Sequence, residues 1–249
     1  MSIRLDRLLN CLAASVIALA MQTNFAFADL VARWDFNGAA AGTSTPSTGS
    51  GSASLVGGTT ATFASGIANG GSSDPVITSP ANFAWNSTTY PAQGAGDRTA
   101  GVQFNVSTAG FNSVIVNWDT RSSNTSARHQ QFQYSTNGTT FTDFGALFLN
   151  TAGDTWFNNR NIDLTGISAV NNNANFAFRM VSAFDPANPG NYVSSGLGTP
   201  AAYVGGTLRF DMVAVNATAV PEPTSMVLLG TVGVVGFAVR RRLKNAAKK

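Results

Sequence analysis

Few side chains in this 249-residue sequence can do chemistry. His129 is the sole histidine, Cys11 the sole cysteine and Glu222 the sole glutamate. A His-rich metal site is therefore impossible, and a Ser-His-Asp triad would have to be built around His129. No G-x-S-x-G elbow is present. Arg128-His129-Gln130 opens a polar strand edge, which reads as a surface histidine and not as a general base. A glycosidase needs two carboxylates with divergent pKa values, and outside the last thirty residues every candidate is an aspartate. Asp119 close to Arg121, and Asp163 close to Arg160, read as solvated or strand-paired charges. These residues point to a non-enzyme, with an extracellular hydrolase as the remote alternative.

Binding chemistry has better material. Sugar sites use an aromatic platform beside carboxylate or amide hydrogen-bonding groups, and Trp156 with Asp154, Asn158 and Asn159 has that composition. This group is the candidate ligand surface. No cofactor is expected. A structural calcium ion held by aspartate and backbone oxygens is compatible with the composition, although no EF-hand or repeat-type calcium motif occurs.

The elements that position these residues read as strands. Val114, Val116 and Trp118 alternate with Ile115, Asn117 and Asp119; Phe132 and Tyr134 alternate with Gln131, Gln133 and Ser135. A period of two is that of half-buried strands. Asn137-Gly138 then separates Tyr134 from Phe141 and predicts a hairpin, since both residues tolerate positive φ. Further strands are expected over 31–36, 55–63, 101–106, 155–164, 175–183 and 207–216. No segment between the termini keeps helical periodicity for ten residues. Seven to nine strands separated by Gly, Asn, Ser and Thr turns predict one all-β domain, a β-sandwich of jelly-roll type. Gly38 to Ser54, of low complexity, reads as a flexible excursion from it, and 186–206 as a second loosened stretch.

The two ends have different chemistry. Arg4 and Arg7, the mostly apolar run Leu8 to Ala20 and the small-x-small triplet Ala26-Phe27-Ala28 have the order of a signal peptide cut by signal peptidase after Ala28. The mature protein would then contain no thiol, because Cys11 lies in the leader. At the other end, Val220-Pro221-Glu222-Pro223 precedes an apolar run from Met226 to Val239, followed by Arg240, Arg241, Arg242 and Lys244. Fourteen residues at helical rise span about 21 Å, short of a bilayer's hydrocarbon core of about 30 Å. Such a membrane helix is a marginal anchor. Its arginines reach the headgroups and hold the extreme C-terminus in the cytoplasm. The two prolines keep Glu222 in extended, accessible backbone.

The net charge of +3 arises in these ends. All three lysines, Lys244, Lys248 and Lys249, are in the tail. Residues 29–219 hold seven arginines against ten aspartates, a formal charge of −3. That argues against nucleic acid, whose phosphates call for clustered Lys and Arg.

The Pro-Glu-Pro element, the short apolar segment and the basic stop together resemble the PEP-CTERM sorting signal. The resemblance implies processing by an exosortase-type membrane transpeptidase of exopolysaccharide-producing Gram-negative bacteria, with transient residence in the inner membrane. The implied organisation is signal peptide 1–28, β-sandwich ectodomain 29–219 and sorting signal 220–249. Trp34-Asp35-Phe36-Asn37, Gln131 to Ser135, Thr140 to Phe144, Gly153 to Arg160 and Phe210-Asp211-Met212-Val213 resemble the recurring ectodomain of PEP-CTERM proteins. Such ectodomains are similar in outline to jelly-roll carbohydrate-binding and galactose-binding domains. The expectation is an exported, non-enzymatic protein of the cell surface, outer membrane or exopolysaccharide matrix, the alternative a lectin-like module.

Overall fold

Twelve strands form two antiparallel sheets in a computed structural model that describes residues 28–38, 41–78, 81–196 and 202–220. They are β1 (Ala28–Trp34), β2 (Thr48–Gly49), β3 (Ser52–Val56), β4 (Thr60–Ser65), β5 (Phe83–Thr88), β6 (Gly101–Asn105), β7 (Phe111–Ser122), β8 (His129–Ser135), β9 (Thr142–Leu149), β10 (Thr155–Asp163), β11 (Ala177–Ala183) and β12 (Leu208–Ala219). One sheet runs β10-β7-β12-β1-β2, with β5 also on β12 and β4 beyond β5; the other runs β3-β6-β11-β8-β9. From β5 onward the pairings are β5-β12-β7-β10 in one sheet and β6-β11-β8-β9 in the other. That interleaving of eight strands is a jelly roll. Residues 28–219 form one contact unit.

The period-two residues named from sequence face inward. Val114, Val116, Trp118 and Phe132 are buried, with Trp34, Phe104, Phe178 and Phe210 between the sheets. Phe178 stacks on Phe104 at 5.2 Å and on Phe132 at 5.8 Å, and Phe132 stacks on Trp118 at 5.8 Å. Each such pair contributes about 0.5–1.5 kcal/mol beyond the area it buries.

Three expectations about strands change. The single strand expected over 55–63 is two strands in opposite sheets, because Gly57 and Gly58 turn the chain at φ 68° and 80°. The low-complexity stretch is partly built into the sandwich: Thr48 and Gly49 pair with Arg33 and Ala32. A methyl on Gly49 would lie 1.9 Å from the Val31 carbonyl oxygen, so close approach explains that glycine. The Asn137-Gly138 hairpin forms with a longer loop, in which Asn137 Oδ1 accepts from the backbone N–H groups of Thr139 at 2.9 Å and Thr140 at 2.8 Å. In the second loosened stretch, Tyr192 stacks on Tyr203 at 4.4 Å above Ala127.

Candidate functional site

Trp156 lies on β10, the edge of its sheet, and is only 9% exposed. Its indole N–H donates to the Ala68 carbonyl at 2.8 Å, which fastens the loop between β4 and β5 to the edge strand. Asp154 accepts from Arg121 at 2.5 Å and from Asn124 at 2.9 Å. Asn158 donates to the Gly71 carbonyl at 3.1 Å, and the Asn159 backbone N–H donates to Asp119 at 2.7 Å. The four residues are neighbours in space, but their polar groups hold loops and strands. The ring is covered, and what this place offers solvent is Asn158, Asn159 and the 39% exposed side chain of Asp154.

Asp119 is not a solvated or strand-paired charge. It is 1% exposed, accepts from the backbone N–H groups of Ser73 and Asn159, and leaves Arg121 to Asp154. Asp163 is exposed, as expected. Beside Asp119 lies Asp211 on β12, fully buried, whose oxygens accept from Ser72 Oγ at 2.6 Å and the Met212 N–H at 2.7 Å. Burial pushes the Asp211 carboxyl up to about 8; Asp74 and Asp119 add to the rise, and the Ser72 and Met212 hydrogen bonds oppose it.

A different surface has the better composition for a ligand. On the outer side of the second sheet, strand register places Ser54, Gln103, Arg179, Gln133 and Asp143 in one transverse row across all five strands. Their chain neighbours Phe104, Phe178 and Phe132 point into the core, so the row points away from it. Arg179 Nε donates to Gln103 Oε1 at 2.7 Å, Gln133 Nε2 donates to Asp143 at 2.9 Å, and Arg98 pairs with Asp143. The guanidinium of Arg179 sits 3.5 Å from the centroid of the Phe141 ring. Gln133 Oε1 has no partner but is buried, and Gln133 and Gln103 are only 8% and 9% exposed, so Ser54, Arg179 and Asp143 are what the row presents to solvent. Gln103 Nε2 donates to Asn105 at 3.0 Å, and Asn105 leads into a shallow cavity of about 250 Å³ bordered by Ser52, Ser107, Asn175 and Phe176. Asparagine, serine, arginine and one aspartate beside a ring can hold a polyhydroxyl ligand. The alternation of Gln131 and Gln133 with Phe132 was the sequence signal for this face; nothing in the sequence set its register.

His129 is half-buried, and burial holds its imidazole below the usual range. Its Nδ1 is enclosed without a hydrogen-bond partner. Among the described residues no three His, Cys, Asp or Glu side chains form a metal-holding group.

Val220 is exposed and follows the last residue of β12. Residues 219–242 match the family model of the PEP-CTERM protein-sorting motif. The chain carries a PEP-CTERM sorting signal. This signal implies a bacterial protein exported and handled by an exosortase-type system, at the cell surface or outside the cell. The PEP-CTERM match starts on Ala219, within β12. Pro221, Glu222, Pro223, the run from Met226 and the basic stop of Arg240, Arg241 and Arg242 lie outside the described residues, as does Ala26. Ala28 opens β1, opposite Thr218. Among the described residues no helix is long and apolar enough to cross a membrane.

No curated protein matches this PEP-CTERM chain. Among solved structures it is similar to a xylan-binding CBM22-1 domain from Paenibacillus barcinonensis, with 9% identity and a TM-score of 0.47 over 78% of this chain and 97% of that one. A tandem CBM22-1-CBM22-2 domain from the same organism gives 9% identity and a TM-score of 0.48 over 80% of this chain and 49% of that one. The K2 cleaved adhesin domain of Lys-gingipain gives 13% identity and a TM-score of 0.37 over 76% and 97%.

Proposed function

We propose that this is an exported cell-surface or exopolysaccharide-matrix protein of a Gram-negative bacterium, with a structural and non-enzymatic role. Signal peptidase removes residues 1–28, and an exosortase-type transpeptidase processes the tail during transient residence in the inner membrane. The match of residues 219–242 to the sorting motif carries this reading. Intact-mass measurement of the protein recovered from its producer tests it. The expected mass lacks residues 1–28 and Met226 to Lys249, and Glu222→Ala is expected to trap precursor in the inner membrane. Full-length C-terminus on surface protein, or indifference to Glu222→Ala, would reject processing and leave a plain tail anchor.

A second reading is favoured by the row Ser54, Gln103, Arg179, Gln133, Asp143 on the outer side of the second sheet. There the domain holds the producer's polysaccharide through guanidinium, hydroxyl and carboxylate hydrogen bonds, as a lectin-like module. The surface of Trp156, Asp154, Asn158 and Asn159 is the other place proposed for such contact, through its two exposed asparagines and the Asp154 carboxylate. Binding of the purified protein to the producer's own exopolysaccharide, compared before and after substitution in each place, decides between them.

A further inference from the structure

The loop between β4 and β5 covers three aspartates that no cationic side chain approaches among the described residues. Asp211 is 0% exposed, Asp119 1% and Asp74 7%. The ion pairs of the described residues join Arg98 to Asp97 and Asp143, and Arg121 to Asp154. The three buried carboxylates have only neutral donors. Asp74 accepts from Asn37 Nδ2 at 2.6 Å and the Val76 N–H at 2.8 Å, Asp119 from Ser73 and Asn159, and Asp211 from Ser72 and Met212. Each of these oxygens keeps a lone pair after its one hydrogen bond. Burial without a counter-charge makes Asp211, the deepest of them, costly to ionise.

An independent observation lies in the same place. Asn82 is 2% exposed, and its Nδ2 donates to the Val76 carbonyl at 2.7 Å, which fixes the direction of the amide. Its Oδ1 is buried with no partner. A methyl built on Gly66 would lie 1.7 Å from Asn82 Oδ1 and 3.0 Å from Asp211 Oδ2. Asn82 Oδ1 therefore occupies the place where a side chain on residue 66 would begin, Asp211 Oδ2 borders the same place, and only glycine leaves room for the pair. The donors around this place are carboxylate, amide, hydroxyl and backbone oxygens, with no imidazole or thiolate. That is the donor set of a hard divalent cation.

We propose that Asn82 Oδ1 and Asp211 Oδ2, with Asp74 and Asp119 as the surrounding negative charge, hold a calcium ion beside Gly66. Calcium takes six to eight oxygens, and it accepts backbone carbonyls and water to complete the number, so three converging carboxylates are not required. The ion would supply the missing counter-charge and the missing partner of Asn82 together. It would also fasten the loop from Gly66 to Val76, which already reaches β10 through Trp156 and Ala68.

The test uses the full chain in detergent, stripped with EDTA and titrated with calcium chloride. At about a hundredfold excess over Kd the melting temperature is expected to rise by about 5–10 °C, saturably, with a smaller effect from magnesium. Terbium added in place of calcium is expected to luminesce on tryptophan excitation, through Trp156 on β10, whose indole contacts the same loop, and calcium to displace it. Asp211→Asn and, separately, Asp74→Asn are expected to abolish both responses, while Asp163→Asn at an exposed position preserves them. Absence of a melting shift and of terbium emission in the unsubstituted chain overturns the proposal whatever the variants do. So does an Asp211→Asn chain with the full response. Stability that varies with pH but not with metal would assign the place to a proton shared by Asp211 and Asn82, and would equally overturn it. None of these readouts involves glycan, so they are independent of the functional reading above.

Discussion

Asp119 and Asp211 face each other in register across β7 and β12, and both are buried. Like charges directly opposite in a sheet are destabilising. Each has a β-bulge beside it: β10 shifts register between Phe157 and Arg160, and β12 between Asp211 and Ala214. The bulged residues Asn159 and Met212 take φ of 56° and 48°, and their N–H groups turn onto Asp119 and Asp211. A methionine at positive φ costs about 1–3 kcal/mol and persists only where its surroundings impose it. Here the carboxylates and the loop bonded to them impose it.

That arrangement makes stability depend on pH in an unusual direction. In protein free of divalent ions, the Asp211 carboxyl keeps its proton up to about 8 in the folded state and loses it near 3.8 in the unfolded state. Between those values the folded chain binds a proton that the unfolded chain has released, so the contribution is full below 3.8 and is lost as pH rises through 8. Urea unfolding with EDTA at pH 5 and pH 8.5 is expected to give lower stability at the higher pH. Asp211→Asn should remove most of that difference; an unchanged difference would place its origin elsewhere.

Phe178 tests the core. It is fully buried and stacked on Phe104 and Phe132. Phe178→Asp leaves an unpaired charge among rings and is expected to cost several kcal/mol, enough to unfold the domain. Loss of the cooperative unfolding transition in circular dichroism is the expected result. A folded Phe178→Asp chain would contradict the assignment of β11 to the interior.

Trp156→Phe keeps the ring and removes the indole N–H that reaches the Ala68 carbonyl. A loss of about 1 kcal/mol in global stability is expected, because that carbonyl is left without its donor. Amide exchange should accelerate in residues 66–72 more than elsewhere. Equal acceleration throughout the domain would show that the hydrogen bond does not hold this loop.

The polar row predicts a pattern for polysaccharide binding. Arg179→Ala removes both the hydrogen bond to Gln103 and the contact over Phe141, and a tenfold weakening corresponds to about 1.4 kcal/mol. At least that loss is expected, with Gln133→Ala in the same direction and His129→Ala without effect. Binding should persist in moderate salt, since screening weakens charge-driven contacts selectively. Equal binding by Arg179→Ala would remove this face from consideration.

The strands that could be read in the sequence are those with one clean face. Phe132 and Tyr134 alternate with Gln131 and Gln133 because the sheet is buried on one side and polar on the other. β5 was missed because Ala84 and Trp85, adjacent in sequence, are both buried, which breaks the period of two. β3 and β4 were merged because Gly57-Gly58 looks like any flexible pair until the two sheets are known. Asp119 departs from its sequence reading because the backbone N–H groups that bond it belong to Ser73 and Asn159, forty residues or more away in sequence. The composition around Trp156 resembled a sugar platform because a hydrogen bond to Ala68, 88 residues distant, leaves no local mark. Local pattern reports burial; partners across the sandwich are fixed by register, which pattern alone does not carry.

The position of β12 has a mechanical consequence. It lies between β7 and β1, with β5 on the same edge as β1, and its last residue is the first residue of the sorting motif. Any tether made at that motif therefore transmits load straight into the middle strand of a sheet, without an intervening linker. Tension along β12 meets rows of hydrogen bonds lying across its direction, so they resist in shear, all at once, and do not peel in turn. A tethered protein of this build would yield to flow or cell movement only by losing its central strand, at forces well above those that unzip an edge.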